Sequence, residues 1–281
     1  MTFEDFARAH GLIIRSITPH KWVATPTEDH PKKQNGRYKF LGEVGWVQNW
    51  ATMDRPAIWK SQSYKPVDYA RVRQQEAASR ADLAQKAAAK AGWILHQSKL
   101  ATHPYLEKKG FSDEQGNVWE RDGKRILVVP MRSGGKIVGC QLIDEDGGKK
   151  FLSGQTSKGA VFSIDAKGLP IFCEGYATGL SIRSVMRAIK IRYSIYICFS
   201  ASNLEFVAGS IDGGFVVADN DVNNVGEKAA KAAHKPYWIS PAIGEDFNDF
   251  HQRVGLFHAS QSLKKIILAG SSSSETSPLS A

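Results

Sequence analysis

No cysteine stands before position 140, and the three present, Cys140, Cys173 and Cys198, show no CxxC spacing. Their absence upstream excludes a disulfide framework and a zinc ribbon there, and the apolar surroundings of each thiol predict plain buried cysteines. His10, His20 and His30 do not replace them, because they lack the close i, i+3 or i+4 spacing of ligand pairs. No zinc is expected. No apolar run approaches the roughly 20 residues that span a bilayer, and the opening MTFEDFARAHGL carries acids where a secretory signal would be basic and then apolar. A cytoplasmic protein with no membrane partner is the expectation.

What is present is an ordinary hydrophobic content of 42% over 281 residues, enough for one large domain or two modest ones. The net charge of +9 is unevenly spread. Residues 1–100 hold 16 Lys and Arg against 9 Asp and Glu, whereas residues 201–250 hold 3 against 8. A basic N-terminal half beside an acidic region suits a chain that holds a polyanion with one part and a divalent metal with another; solvated charged faces are the competing reading.

Five segments follow from pattern. Residues 1–66 form a small unit, with a helix from Phe3 to about His10 and then alternating aromatic and polar residues in GRYKFLGEVGWVQNW, which predict an antiparallel sheet. Residues 67–100 are Ala-rich, charged and most simply a solvated connecting helix. Residues 101–168 are β-rich and basic, with RILVVPM and KIVGCQLI flanking a Ser-Gly-Gly turn. Residues 169–268 alternate strand and helix: strands at 170–173, 193–199 and 214–218, helices at 177–189 and 226–233 and a shorter one near 204–207. That alternation predicts a mostly parallel, Rossmann-like α/β sheet with helices on its faces. Residues 269–281, ending in a Ser-rich run, read as a disordered tail.

In open α/β sheets ligands sit at the carboxyl ends of strands, and three acidic stretches fall there. Glu174 ends PIFC, Asp219 and Asp221 end GFVVADND, and Asp246 and Asp249 lie in GEDFNDFH. Two residues apart on an extended backbone, Asp219 and Asp221 would face the same way and share a cation. Oxygen ligands of this kind suit Mg²⁺, which is held by one or two carboxylates together with substrate phosphates. Each stretch also has a plainer reading: an acid at a helix N-terminus for Glu174, turn chemistry for Asp219 and Asp221, and an N-cap for EDFND.

Together EGYATGLS, VVADND and GEDFNDFH resemble the Toprim domain of bacterial-type primases, topoisomerases and some nucleases. HPYLEKKG, LVVPMRSGGKIVGCQLI and GGKKFLSGQTSKGAVFSI upstream look like the Toprim primases of phages and plasmids. The likeness runs over roughly residues 10–258. It implies a DNA primase that makes short RNA primers from ribonucleoside triphosphates on single-stranded DNA in a bacterial host cell, with Mg²⁺ or Mn²⁺. It makes Glu174 the acid/base of nucleotidyl transfer, and Asp219 and Asp221 catalytic metal ligands, with Glu174 and Asp246 near the same metal. Lys149, Lys150 and Lys158, and more weakly Arg132, become nucleotide or template contacts. His103 is family-like, though Pro104 after it equally marks a turn.

Many primases of this class read template with an N-terminal zinc ribbon, which this chain lacks. Template contact is then expected from the leader, where Arg37, Tyr38, Lys39, Trp46, Trp50, Trp59 and Lys60 combine π faces with charge. Tryptophans serving as the core of a small domain are the competing reading. No GxxxxGK[ST] loop follows Asp249, so a helicase would be a separate partner. Two alternatives stay in play: a Toprim-type metal-dependent nuclease, and a non-catalytic nucleic-acid-binding replication accessory.

Overall fold

A computed structural model describes residues 1–64, 69–165 and 167–272. The chain divides into two compact units, residues 1–76 and 77–281.

The first unit begins with α1 (Phe3–Ala9), whose first turn is closed by a capping box: Thr2 Oγ1 accepts the Asp5 N–H at 3.1 Å, and the Thr2 N–H donates to Asp5 at 3.2 Å. Four strands follow, β1 (Trp22–Thr25), β2 (Gly36–Phe40), β3 (Val44–Asn49) and β4 (Ala57–Lys60), in one antiparallel sheet of order β1-β2-β3-β4. Alternation sorts their side chains, because residues paired directly across an antiparallel ladder share a face. Val23, Tyr38 and Val47 are paired on the inner face, where Tyr38 and Val47 are buried beside Phe3, Ala7 and Leu12. The outer face carries Trp22 opposite Lys39, Lys39 opposite Trp46, and Arg37 opposite Gln48.

α2 (Tyr69–Gln97) crosses the boundary between the units. Most of it is exposed, as its composition suggests, but one stripe in its C-terminal half is not. Ala87, Ala91 and Ile94, spaced three and four apart, are buried with Trp119, Val128, Cys140 and Leu152. Alanine on that stripe lets the helix lie close to a sheet, a packing that composition alone does not reveal.

In the second unit β5 (Lys99–Ala101), α3 (Pro104–Lys108), β6 (Gly116–Arg121), β7 (Lys124–Ser133), β8 (Lys136–Ile143) and β9 (Lys149–Phe151) form an antiparallel sheet of order β5-β6-β7-β8-β9 with α3 beside it. The run ILVV is continuous because the sheet is covered on both faces: Val128 points to α2, while Leu127 and Val129 join the neighbouring core.

The rest runs β10 (Phe162–Asp165), β11 (Leu169–Cys173), α4 (Tyr176–Ala188), β12 (Tyr193–Ile197), α5 (Ala201–Ser210), β13 (Phe215–Ala218), α6 (Val225–Ala232), β14 (Tyr237–Ile239) and α7 (Phe247–Ser272). The sheet order is β10-β12-β11-β13-β14, parallel except where β10 joins β12. The expected mostly parallel α/β unit is present. Ile171, Cys173, Ile195 and Val217 pack under α4 and α7, while Phe172, Val216 and Ala218 pack under α5 and α6.

α7 is broken at Gly255, whose φ of 77° no helix accommodates. It continues to Ser272, into the segment read as a disordered tail; residues 273–281 lie outside the described residues. Residues 65–68, at the start of the expected linker, also lie outside them. Among the described residues no helix is long and apolar enough to cross a membrane.

Candidate active site

β11 and β13 are adjacent and parallel, so their carboxyl ends leave the sheet side by side, and each is followed directly by an acid. Glu174 follows Cys173 and is half-buried; the Ala201 N–H at the start of α5 hydrogen-bonds to it. Its carboxyl titrates above the ordinary value because burial disfavours the charge and Asp221 adds repulsion, with Lys149 opposing both. Asp219 follows Ala218. Burial, then Glu174 and Asp246, push it up to about 7, again against Lys149. Its Oδ1 is buried and has no hydrogen-bond partner among the described residues. A buried, unpartnered carboxylate oxygen facing further acids is an unstable arrangement unless a proton or a cation completes it.

α4 lies close to the sheet behind Glu174 because Gly179 has no side chain. A Cβ there would fall 2.5 Å from Ile197. At Gly226 the same argument concerns the acid directly, since a Cβ would lie 2.5 Å from the Asp219 carbonyl oxygen. α6 can pass under Asp219 only with glycine at that position.

Asp246 opens α7 and accepts the Asp249 N–H at 2.8 Å. Its loop is tied to the Asp219 loop by Asn220, whose N–H donates to the Glu245 carbonyl and whose side chain donates to the Ser240 carbonyl at 2.8 Å. Buried Asn248 then fixes the start of α7, donating to the Lys109 carbonyl at 2.9 Å and to Ser181 at 3.0 Å. Neither asparagine carried a signal in the sequence beyond its place next to an acid.

Asp219 and Asp221 do not share an extended backbone, because β13 ends at Ala218. Asp221 turns into the loop and accepts the N–H groups of Asn223, Val225 and Gly226 at 2.9, 3.1 and 3.0 Å, which hold its carboxyl below the ordinary value. The turn-chemistry reading describes that residue's contacts, although a carboxylate so engaged keeps lone-pair capacity. Among the described residues no three His, Cys, Asp or Glu side chains are arranged to hold a metal ion by themselves. The donor set nonetheless suits a hard cation completed by phosphate oxygens, and the orphaned Asp219 Oδ1 is the group such a cation would satisfy.

The basic residues separate. Lys149 on β9 acts on both Glu174 and Asp219, and its face-mate Phe151 sets its ring edge-on against Phe199 at 6.3 Å. Lys150 lies between them on the strand and so points to the opposite face. Lys158 stands apart with its ammonium 4.5 Å from the Phe206 ring, and Arg132 is exposed and bonded to the Gly135 carbonyl. His103 is a structural cap: it accepts the Tyr105 N–H at the start of α3, and its other ring nitrogen bonds the Arg125 carbonyl at 3.0 Å.

In the first unit, Tyr38 is only 2% exposed, with its hydroxyl bonded to Ser16 and Thr18, so its ring is core and not a stacking surface. Trp59 packs edge-on to Phe3 at 5.7 Å and donates to the Met1 carbonyl, also on the inner side. Lys39 is paired with Glu76 at 2.6 Å, and with Trp22 and Trp46 it lines a hollow of about 250 Å³ that the first turns of α2 enter. Arg37 lies 4.6 Å from the ring of Trp22 and 5.7 Å from that of Trp50, and both indoles are exposed. Sequence reasoning missed Trp22, whose strand is too short to show alternation. Lys60 stands 4.9 Å from the Tyr64 ring.

The second unit thus carries, at adjacent strand ends of its α/β sheet, acids that act on one another, with Lys149 acting on two of them. In sequence the chain is similar to a DNA primase. It is 28% identical over 149 residues to DNA primase TraC of Escherichia coli, a match covering 46% of this chain and 10% of that protein. The chain therefore spans a small part of that relative. No protein-family model matches it. Two bacteriophage T7 structures are similar at 17% identity. One, of lagging-strand DNA polymerase with primase domains bound to an RNA/DNA hybrid and dTTP, covers 61% of this chain and 92% of its own, with a TM-score of 0.43. The other, a primase fragment of the primase-helicase protein, covers 58% and 69% with a TM-score of 0.40.

Proposed function

We propose that the chain is a Toprim-type DNA primase that joins ribonucleotides on a single-stranded DNA template. The observation that carries the reading is the meeting of Glu174 and Asp219 at adjacent strand ends, with Asp219 Oδ1 buried and unpartnered among the described residues and Lys149 opposite. The sequence similarity to a DNA primase supports it.

Asp219, with Glu174 and Asp246 beside it, would hold Mg²⁺ or Mn²⁺ together with the triphosphate; Asp221 has spare lone pairs on the same rim. A divalent ion bound there would neutralise charge developing on the leaving pyrophosphate. The chain's own groups do the rest. Glu174, whose carboxyl burial makes more basic than an ordinary glutamate, receives the proton of the attacking 3′-hydroxyl. Lys149 places a fixed positive charge beside the phosphates and offsets the repulsion among the acids. Gly179 and Gly226 let α4 and α6 approach closely enough to hold both carboxylates on rigid elements. Arg37, Trp22 and Trp50 form the open part of the leader that offers template a stacked, charged surface.

The test is incubation with single-stranded DNA of varied sequence, labelled ribonucleotides and Mg²⁺ or Mn²⁺. Short RNA products that vanish in Asp219→Ala and in Glu174→Gln are expected. Shortened DNA without ribonucleotide incorporation would replace this reading by the nuclease, and DNA binding without either product by a replication accessory.

A further inference from the structure

At the edge of the antiparallel sheet farthest from β9, a cavity of about 950 Å³ opens between the last turns of α2, strand β5 and strand β6. Its lining includes Lys90 and Trp93 from α2, Lys99 and Leu100 from β5, and Trp119 and Arg121 from β6. Trp93 is 56% exposed and Leu100 69%. The contrast is sharp, because the next residue of α2, Ile94, is fully buried. The Trp93 and Trp119 rings are perpendicular with centroids 5.9 Å apart, more than half of Trp93 stays exposed, and the Arg121 guanidinium lies 5.5 Å from the Trp119 ring. Cations from three separate elements therefore surround two indoles. Two acids share the rim, Glu120 and Asp122, of which Asp122 is paired with Arg121 at 3.1 Å.

We infer that this cavity is a single-strand nucleic-acid site, in which a base stacks on Trp93 while Lys90 and Lys99 receive the phosphates on either side. It deepens the proposed function and rests on it in one respect, that the chain handles single-stranded nucleic acid. An aromatic face between separated cations is how sequence-tolerant single-strand binders work, and one stacked base contributes about 1–3 kcal/mol. A partner protein with an apolar patch would gain from Trp93 and Leu100 but would have no use for the two lysines beside them. The position adds a length requirement. β5 lies four strand spacings from β9, about 19 Å, and a stacked single strand advances about 3.4 Å per nucleotide. Lys149 shares the Ile143 and Leu127 face, opposite to the face that α2 covers, so a strand touching both Lys149 and Trp93 must also round a sheet edge and spans more than about six nucleotides.

The experiment is anisotropy titration of labelled oligo(dT), about four and about sixteen nucleotides long, with the full chain in EDTA and no nucleotide. Trp93→Ala is expected to weaken the longer oligonucleotide five-fold or more, with Trp93→Phe retaining most of the affinity. Lys90→Ala with Lys99→Ala is expected to flatten the dependence of log K on log salt by about 1.4, at about 0.7 per lost phosphate contact. The longer strand should bind much more tightly than the shorter. Unchanged affinity and salt slope in both variants, with unchanged circular dichroism, would overturn the site. Metal and nucleotide are absent, so the two readings fail separately. A chain that makes no primers yet binds through Trp93 sinks the primase and keeps this site, whereas primer synthesis with Trp93→Ala binding unchanged does the reverse.

Discussion

Replacing Asp219 by asparagine should make the metal-free protein more stable near neutral pH while destroying its chemistry. The carboxyl moves from an ordinary 3.8 to about 7 in the fold, chiefly through burial and then through Glu174 and Asp246. At about 1.36 kcal/mol per unit, ionising it inside the fold costs at most about 4 kcal/mol; a shared proton with Glu174 and relaxation lower that to roughly 1–3. The sign is fixed by linkage. Between about pH 4 and 7 the native chain keeps a proton that the unfolded chain has released, so stability falls as pH rises through that window, by up to about 1.36 kcal/mol per unit. The asparagine side chain does not titrate, so the substitution removes that slope. Urea unfolding in EDTA at about pH 5 and about pH 8, followed by far-UV circular dichroism, is expected to show Asp219→Asn ahead of the wild type mainly at the higher pH. Added Mn²⁺ should then restore the wild type, by about 2.7 kcal/mol at a hundred times its dissociation constant, and leave the variant unchanged. A stability gap equal at both pH values would refute the reasoning, as would an Mn²⁺ gain equal in both proteins.

The other predictions test how the site is positioned. Lys149→Ala should lower primer synthesis ten-fold or more, whereas Lys150→Ala on the opposite face should lower it much less; equal losses would mean that β9 does not sort the two. Gly226→Ala should cost about 1–3 kcal/mol by overpacking against the Asp219 backbone and reduce turnover, read from urea midpoints and primer assays together. Asn220→Ala should loosen the two acid loops, reducing turnover with little change in oligonucleotide affinity. Glu114→Ala should be destabilising by about 2–4 kcal/mol, because it strands the half-buried Arg183 that it now holds with bonds of 3.0 and 2.6 Å; a urea midpoint within error of the wild type would exclude that.

The sequence alone determined the longer elements and their order, because continuous apolar runs such as FVVA and alternating ones such as GRYKF carry their periodicity in a few adjacent residues, whereas the short β1, β5, α3 and β14 carry too few residues to show one. It also placed Glu174, Asp219 and Asp246 at the ends of strands or starts of helices, since an apolar run that stops at an acid is a local signal. Which acids meet was not local. The strand order β12-β11-β13 puts Glu174 beside Asp219, and only hydrogen bonds to the α6 N–H groups show that Asp221 caps a loop. The same limit applies to the basic and aromatic residues: a strand's period of two decides that Lys149 and not Lys150 faces the acids, and that Tyr38 is core. The Ala87, Ala91 and Ile94 stripe looked solvated because its partner surface comes from strands up to about sixty residues later. Tertiary structure decided these points for one physical reason. Side-chain environment depends on what the chain brings to the opposite face, and that neighbour is distant in sequence.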